Sequence, residues 1–286
     1  VDPLSLLWLF FVLASLQPTL TRQMLLAQRR RALAVLSRER KATVITLIHR
    51  QEQLSLLGFP LVRYIDIDDA ESVLRVIAET PDDQPIEIIL HTPGGMVIAA
   101  TQIAAALADH PAHVTAVVPH YAMSGGTLIA MAADEVVVDK HSALGPVDPQ
   151  LGQYPAASLI EVSKLPGDHD DQTLIMADVG RKAIAQVESF STRLLERQMT
   201  PVQARDVAHL LATGVFTHDH PLQAADLMAL GLPVRVGVPE RERELMTLYP
   251  QPRGRTPAVE YVPGPRTPAL PVRRRELPGS TRSGPD

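Results

Sequence analysis

The sequence predicts an α/β protein built on a mostly parallel sheet. Three observations lead there. Short β-branched runs, VITLI (44–48), IEIIL (86–90), VTAVV (114–118) and EVVVD (135–139), are too continuously apolar for strands with one wet face. Segments with helical spacing of apolar residues separate them. The chain of 286 residues is 45% hydrophobic and 21% charged, which is enough to fill a core of that kind.

The elements follow in order. VITLI opens the series, and VRYIDI (62–67) reads as a second strand. Asp68 and Asp69 are expected to cap a helix whose Ala70, Val73, Leu74 and Ile77 fall at i, i+3, i+4, i+7, with Pro81 ending it. IEIIL then runs through a glycine pair into an alanine-rich helix from about Met96 to Asp109. VTAVV is followed by a short turn and a helix of small residues from Ser124 to about Ala133. EVVVD closes the series. A longer helix is expected over about 178–198, then a second one opened by Thr200-Pro201. Strands alternating with helices imply right-handed crossovers and a sheet covered on both faces.

The ends differ from the middle. Residues 3–21 carry no charge, and PLSLLWLFFVLASL is almost wholly apolar. About 20 residues of helix cross a bilayer, so residues 1–21 read as a transmembrane anchor. Arg22, Arg29, Arg30, Arg31, Arg38, Arg40 and Lys41 follow, opposed by Glu39, and make 22–41 a basic juxtamembrane linker. That flank points to a single-pass protein of the inner (cytoplasmic) membrane with the rest of the chain in the cytoplasm. Residues 250–286 hold nine prolines and seven arginines without apolar periodicity and read as a disordered tail. One domain, 42–249, remains.

Composition excludes several chemistries. A net charge of −5 argues against nucleic acid as a partner, and 4% aromatics argue against a base-stacking platform. Zero cysteines remove disulfides, thiolate metal sites and cysteine nucleophiles together. His110-x-x-His113 and His218-x-His220 have short spacings, but Pro111 and Pro221 put both pairs in turns, so no metal is expected.

Two segments could carry chemistry. HTPGGMV (91–97) places paired glycines between a strand and a helix, where backbone N–H groups can face negative charge. HYAMSGGTLIAMAAD (120–134) places Ser124 at a strand-to-helix turn, beside the N–H groups of a helix start. Taken singly, the first reads as a tight turn and Ser124 as a helix N-cap. Neither a P-loop nor a G-x-G-x-x-G fingerprint occurs, and Ala122 breaks the G-x-S-x-G elbow.

Together, TPGG after an apolar strand, A-x-S-G-G-T with its serine 29 positions after Gly95, and ALGPVDPQLGQ (143–153) resemble the Clp-fold serine proteases. VFTHDHPLQAADLMALGLPV (215–234) extends the resemblance, which is strongest to the serine dehydrogenase proteinase family. The Clp protease proteolytic subunit and signal peptide peptidase A are similar too. The resemblance implies a Clp/crotonase-like spiral of βαβ units behind the N-terminal transmembrane helix, and a serine endopeptidase acting on peptide or protein substrates. It makes Ser124 the nucleophile and the N–H groups of Gly95 and Gly125 the oxyanion hole. No metal or organic cofactor is implied, and a homo-oligomer is, with the long helix from Asp178 as a contact. The Clp subunit's histidine about 25 residues after the serine is replaced here by Val147-Asp148-Pro149. The peptidase A relatives use a lysine, so the resemblance implies a Ser–Lys dyad with Lys182 as base and Lys164 as the alternative. A non-catalytic membrane scaffold and a crotonase-like acyl-CoA enzyme are the rival readings.

Overall fold

The computed structural model describes residues 3–49 and 63–249, with side chains at 20, 23–49 and 63–249. The tail expected over 250–286 and the first part of VRYIDI lie outside the described residues. Contacts group the described chain into one compact unit.

A parallel sheet of five strands, ordered 43–48, 86–91, 114–118, 135–138 and 234–236, organises the domain. Helix α1 (Pro3–Arg40) leads into β1 (Thr43–Ile48). Helix α2 (Ile67–Glu79) crosses to β2 (Ile86–His91), α3 (Val97–Asp109) to β3 (Val114–Val118), and β4 (Tyr121–Ala122) with α4 (Gly125–Met131) to β5 (Glu135–Val138). These strands are added in one direction. Right-handed crossovers therefore put α2, α3 and α4 on a single face. Two-residue strands β6 (Ala143–Leu144), β7 (Gln150–Leu151) and β8 (Tyr154–Pro155) then lead to α5 (Ala156–Val162), α6 (Asp171–Leu195) and α7 (Pro201–Ala212). The chain returns through α8 (Ala224–Ala229) to β9 (Val234–Val236), and α9 (Glu240–Thr247) is the last element among the described residues.

The two-residue period of the strands sorts the core. Ile86, Ile88, Leu90, Val114, Ala116, Val118, Val136 and Val138 face the helices of the crossover side, including α6 and α7. Ile89, Val117 and Val137 face the other way, onto Leu36 of α1 and Leu245 and Met246 of α9. The second face is thus covered by the two ends of the described chain, not by crossover helices.

Several expectations need correction. VRYIDI does not form a strand: Ile65 makes one isolated bridge, to Gly95, and α2 begins at Ile67. Its cap is Asp66, whose side chain accepts from Asp69 N–H while Asp69 accepts from Asp66 N–H. That reciprocal box fixes the start two residues before the expected cap. Helix α6 starts at Asp171, capped by Asp170, so Lys182 stands in its middle rather than near its beginning. Segment 22–41 is not a linker. It continues α1 and docks on the domain, with Leu36 buried, Arg29 Nε donating to Leu248 O at 2.7 Å, and the Arg29 guanidinium 4.0 Å over the Tyr249 ring. Among the described residues no helix is long and apolar enough to cross a membrane, so the N-terminal transmembrane helix is not shown. Residues 3–21 do lie in α1, but the side chains of 3–19 fall outside those described.

Candidate active site

Ser124 occupies the sharp turn between β4 and α4, with φ 51° and ψ −116°. A non-glycine residue held there carries strain on the order of 1–3 kcal/mol. It stands at the N-cap position but makes no side-chain cap bond, so the capping explanation for a serine at this place fails. Thr92, the residue after β2, holds the turn: its N–H donates to Tyr121 O at 3.2 Å and its O accepts Met123 N–H at 3.0 Å.

The PGG turn lies against this serine. Gly94 has φ 105°, and a Cβ there would come within 2.7 Å of Ser124 Cβ and 3.3 Å of Gly125 N. A Cβ on Gly95 would lie 2.3 Å from backbone atoms of Ile65, so the bridge between those residues admits only glycine. Hydrogen bonding sorts the neighbouring N–H groups. Gly94 N–H donates to Thr92 Oγ1, Met96 N–H to Ile65 O and Gly126 N–H to Met123 O. Gly95 and Gly125 N–H donate to no acceptor among the described residues. Both glycines line the cavity that holds Ser124.

Both lysines lie elsewhere. Lys182 is 69% exposed and donates to Asp178 Oδ2 at 2.5 Å. It projects away from the side of α6 that buries Ala177, Gly180 and Val187. That ion pair holds the Asp178 carboxyl below its usual range. Lys164 is equally open and pairs with Glu161 at 2.7 Å. Neither lines the cavity at Ser124, so the expected Ser–Lys dyad is not shown.

The cavity, about 330 Å³, is lined by Ser124, Gly95 and Gly125 together with Asp148 and His218. His218 Nδ1 lies 2.8 Å from Asp148 Oδ1. Asp148 is 2% exposed, and Gln150 Nε2 donates to its other oxygen at 2.6 Å. A carboxylate at Nδ1 assigns the proton to that nitrogen and leaves Nε2 as an acceptor. Phe216 stacked on His220 at 4.5 Å steadies the loop that carries His218. The sequence reading missed this pair, because two residues 70 positions apart leave no local spacing. The one hint was the histidine-rich HDH (218–220) before Pro221. An apolar groove of about 840 Å³ between α3 and α6 adjoins the cavity and shares Val97 and Val187 with it.

A hydroxyl, an imidazole, a buried carboxylate and the backbone of two glycines line one cavity, and these are group types that acyl transfer uses. Comparison with known proteins agrees. The family described as ClpP-like SDH-type serine proteinase matches residues 2–271. Uncharacterized protein MJ1495 of Methanocaldococcus jannaschii is 46% identical over 259 residues, covering 90% of this chain and 89% of its own. Uncharacterized protein MJ0137 of the same organism is 46% identical over 273 residues, 93% and 96% of the two chains. With its PGG and SGG turns facing one cavity under a match of nearly full length, the chain belongs to the family of ClpP-like SDH-type serine proteinases.

Proposed function

We propose that the protein hydrolyses peptide bonds with Ser124 as nucleophile, His218 as base and Asp148 as its orienting partner. The observation that carries this reading is the shared cavity of Ser124, His218 and Asp148. Ser124 Oγ attacks the peptide carbonyl carbon as its proton passes to His218 Nε2, and the carbonyl oxygen becomes an anion between Gly95 and Gly125 N–H. The C–N bond then breaks, and the imidazolium returns the proton to the leaving amine. Water, deprotonated by the same nitrogen, attacks the ester carbon and releases the acid and Ser124. Asp148 stays ionised throughout and steadies the imidazolium. The α3–α6 groove offers an extended substrate a path for apolar side chains beside the cavity. Residues 1–21 anchor this domain in the cytoplasmic membrane, a reading supported by their lack of charge and the arginines behind them.

The test is labelling by a fluorophosphonate together with digestion of a peptide library. Wild type reacts in both assays. Ser124→Ala is silent in both, and His218→Ala loses ~10²–10⁴-fold in rate. Lys182→Ala and Lys164→Ala keep the wild-type rate. A dead Lys182→Ala beside an active His218→Ala returns the mechanism to a Ser–Lys dyad, with the lysine delivered by another subunit.

A further inference from the structure

A second histidine–aspartate pair lies behind the oxyanion wall, outside the proposed chemistry. His49, just past β1, is buried at 6% exposure. Its Nε2 lies 3.0 Å from Asp69 Oδ2 and its Nδ1 2.9 Å from Thr92 Oγ1. Thr92 is wholly buried, and its Oγ1 accepts the Gly94 N–H at 3.2 Å. We propose that Asp69, His49 and Thr92 form a positioning relay that sets the Pro93-Gly94-Gly95 turn and so aims the Gly95 N–H at the oxyanion.

The contacts run without a break from Asp69 to the PGG turn. The Asp69 carboxylate accepts His49 Nε2–H. Thr92 Oγ1 pairs with Nδ1, reaches Gly94 O at 3.4 Å and accepts the Gly94 N–H, so it holds the turn at two backbone atoms. Each bond directs the next, because a buried polar atom left without a partner costs roughly 1–3 kcal/mol. Asp69 is fixed in turn by the capping box of α2, where it accepts Asp66 N–H at 3.1 Å. Burial works to raise its carboxyl, but the hydrogen bonds from His49 and Asp66 outweigh that and hold it below the usual range. The same threonine holds the Ser124 turn through its backbone N–H and O. One residue therefore couples both walls of the cavity. Spending the Gly94 N–H on Thr92 also leaves Gly95 as the donor facing Ser124.

This inference rests on Ser124 being the nucleophile, and the experiment separates the two. A peptide aldehyde forms an Oγ–C bond with Ser124, its carbonyl oxygen becoming the hemiacetal oxyanion as the hydroxyl proton moves to the base. The matching peptide alcohol fills the same subsites without that oxygen in the hole. In Thr92→Val and His49→Leu, kcat is expected to fall about 10- to 100-fold. KM stays within about threefold, and aldehyde affinity falls with kcat, while alcohol affinity is unchanged. Thr92→Ser, which keeps Oγ, restores both quantities. Asp69→Asn, at a partly exposed position, lowers kcat and aldehyde affinity in the same proportion. Fluorophosphonate titration counts folded, active sites, so a loss of fold is not read as a loss of rate. The relay is overturned if aldehyde and alcohol affinities fall together, or if Thr92→Val and Asp69→Asn both match wild type. A wild type inert to fluorophosphonate and aldehyde alike overturns the peptidase reading along with it.

Discussion

At Ser124 the backbone and the chemistry make opposite demands. Its φ of 51° suits glycine, yet a glycine there has no hydroxyl to offer. Strain kept at one residue in this way is expected to surface as a trade of stability for function. Ser124→Gly should therefore raise stability by ~1 kcal/mol while abolishing turnover, whereas Ser124→Ala keeps the strain and gains nothing. Chemical denaturation of the three proteins side by side checks this. A Gly variant no more stable than the Ala variant would show that the turn is relaxed. Gly95 is constrained differently, by space, since Ile65 lies where a methyl group would be.

At the scale of elements, the least expected feature is the carboxylate pair under α1 and α9. Glu87 points from β2 into the second sheet face, where Glu242 of α9 is fully buried. Arg40, at the end of α1, bridges them, 3.4 Å from Glu87 and in closer contact with Glu242. Arg235, Glu135 and His113 line the same cavity. Burial, reinforced by repulsion from Glu242 and opposed by Arg40, pushes the Glu87 carboxyl up to about 7. A carboxyl raised on folding binds more protons in the native state than in the unfolded one. Its contribution to stability therefore falls as pH rises between about 4.5 and 7 and is level above that. Glu87→Gln should remove this slope, gaining on wild type through that window by at most ~3 kcal/mol above neutrality. Denaturant titrations at steps from pH 5 to 8 measure it. A constant difference between the two proteins would mean that Glu87 is already ionised at pH 5. The Arg40–Glu242 contact joins the two helices that cover the second sheet face, so its loss should register first in the docking of α1.

For the whole molecule, two expectations concern what surrounds the domain. Deleting residues 1–21 should move the protein from the membrane to the soluble fraction with its fold kept, because the docked part of α1 around Leu36 lies beyond the cut. Full-length protein soluble without detergent or lipid would contradict the anchor. Leu174, Ile175 and Val179 leave apolar side chains exposed along the first turns of α6, beside the long-helix contact expected for an oligomer. The deleted form should therefore run as a multiple of one chain by light scattering. Ile175→Lys with Val179→Lys should shift it towards a single chain while fluorophosphonate labelling persists. A single-chain mass for the unmutated domain would leave that surface for another partner.

The order of strands and helices was legible in the sequence because it depends on local periodicity. Four apolar runs became four parallel neighbours, and Thr200-Pro201 opened a helix as capping chemistry requires. The turns bearing Ser124, Gly95 and Gly125 were legible too, since each is marked by a contiguous glycine pair between strand and helix. What the sequence could not show were contacts between distant segments. His218 meets Asp148 across 70 residues, His49 meets Thr92 across 43, and Arg40 meets Glu242 across 202. Such pairs are selected by packing and by the cost of burying an unpartnered polar group, neither of which leaves a spacing in the chain. Lys182 illustrates the converse. Its place in the sequence suited a base, but the phase of α6 turned it to solvent, and only the tertiary structure brought His218 and Asp148 to the lining of the cavity that holds Ser124.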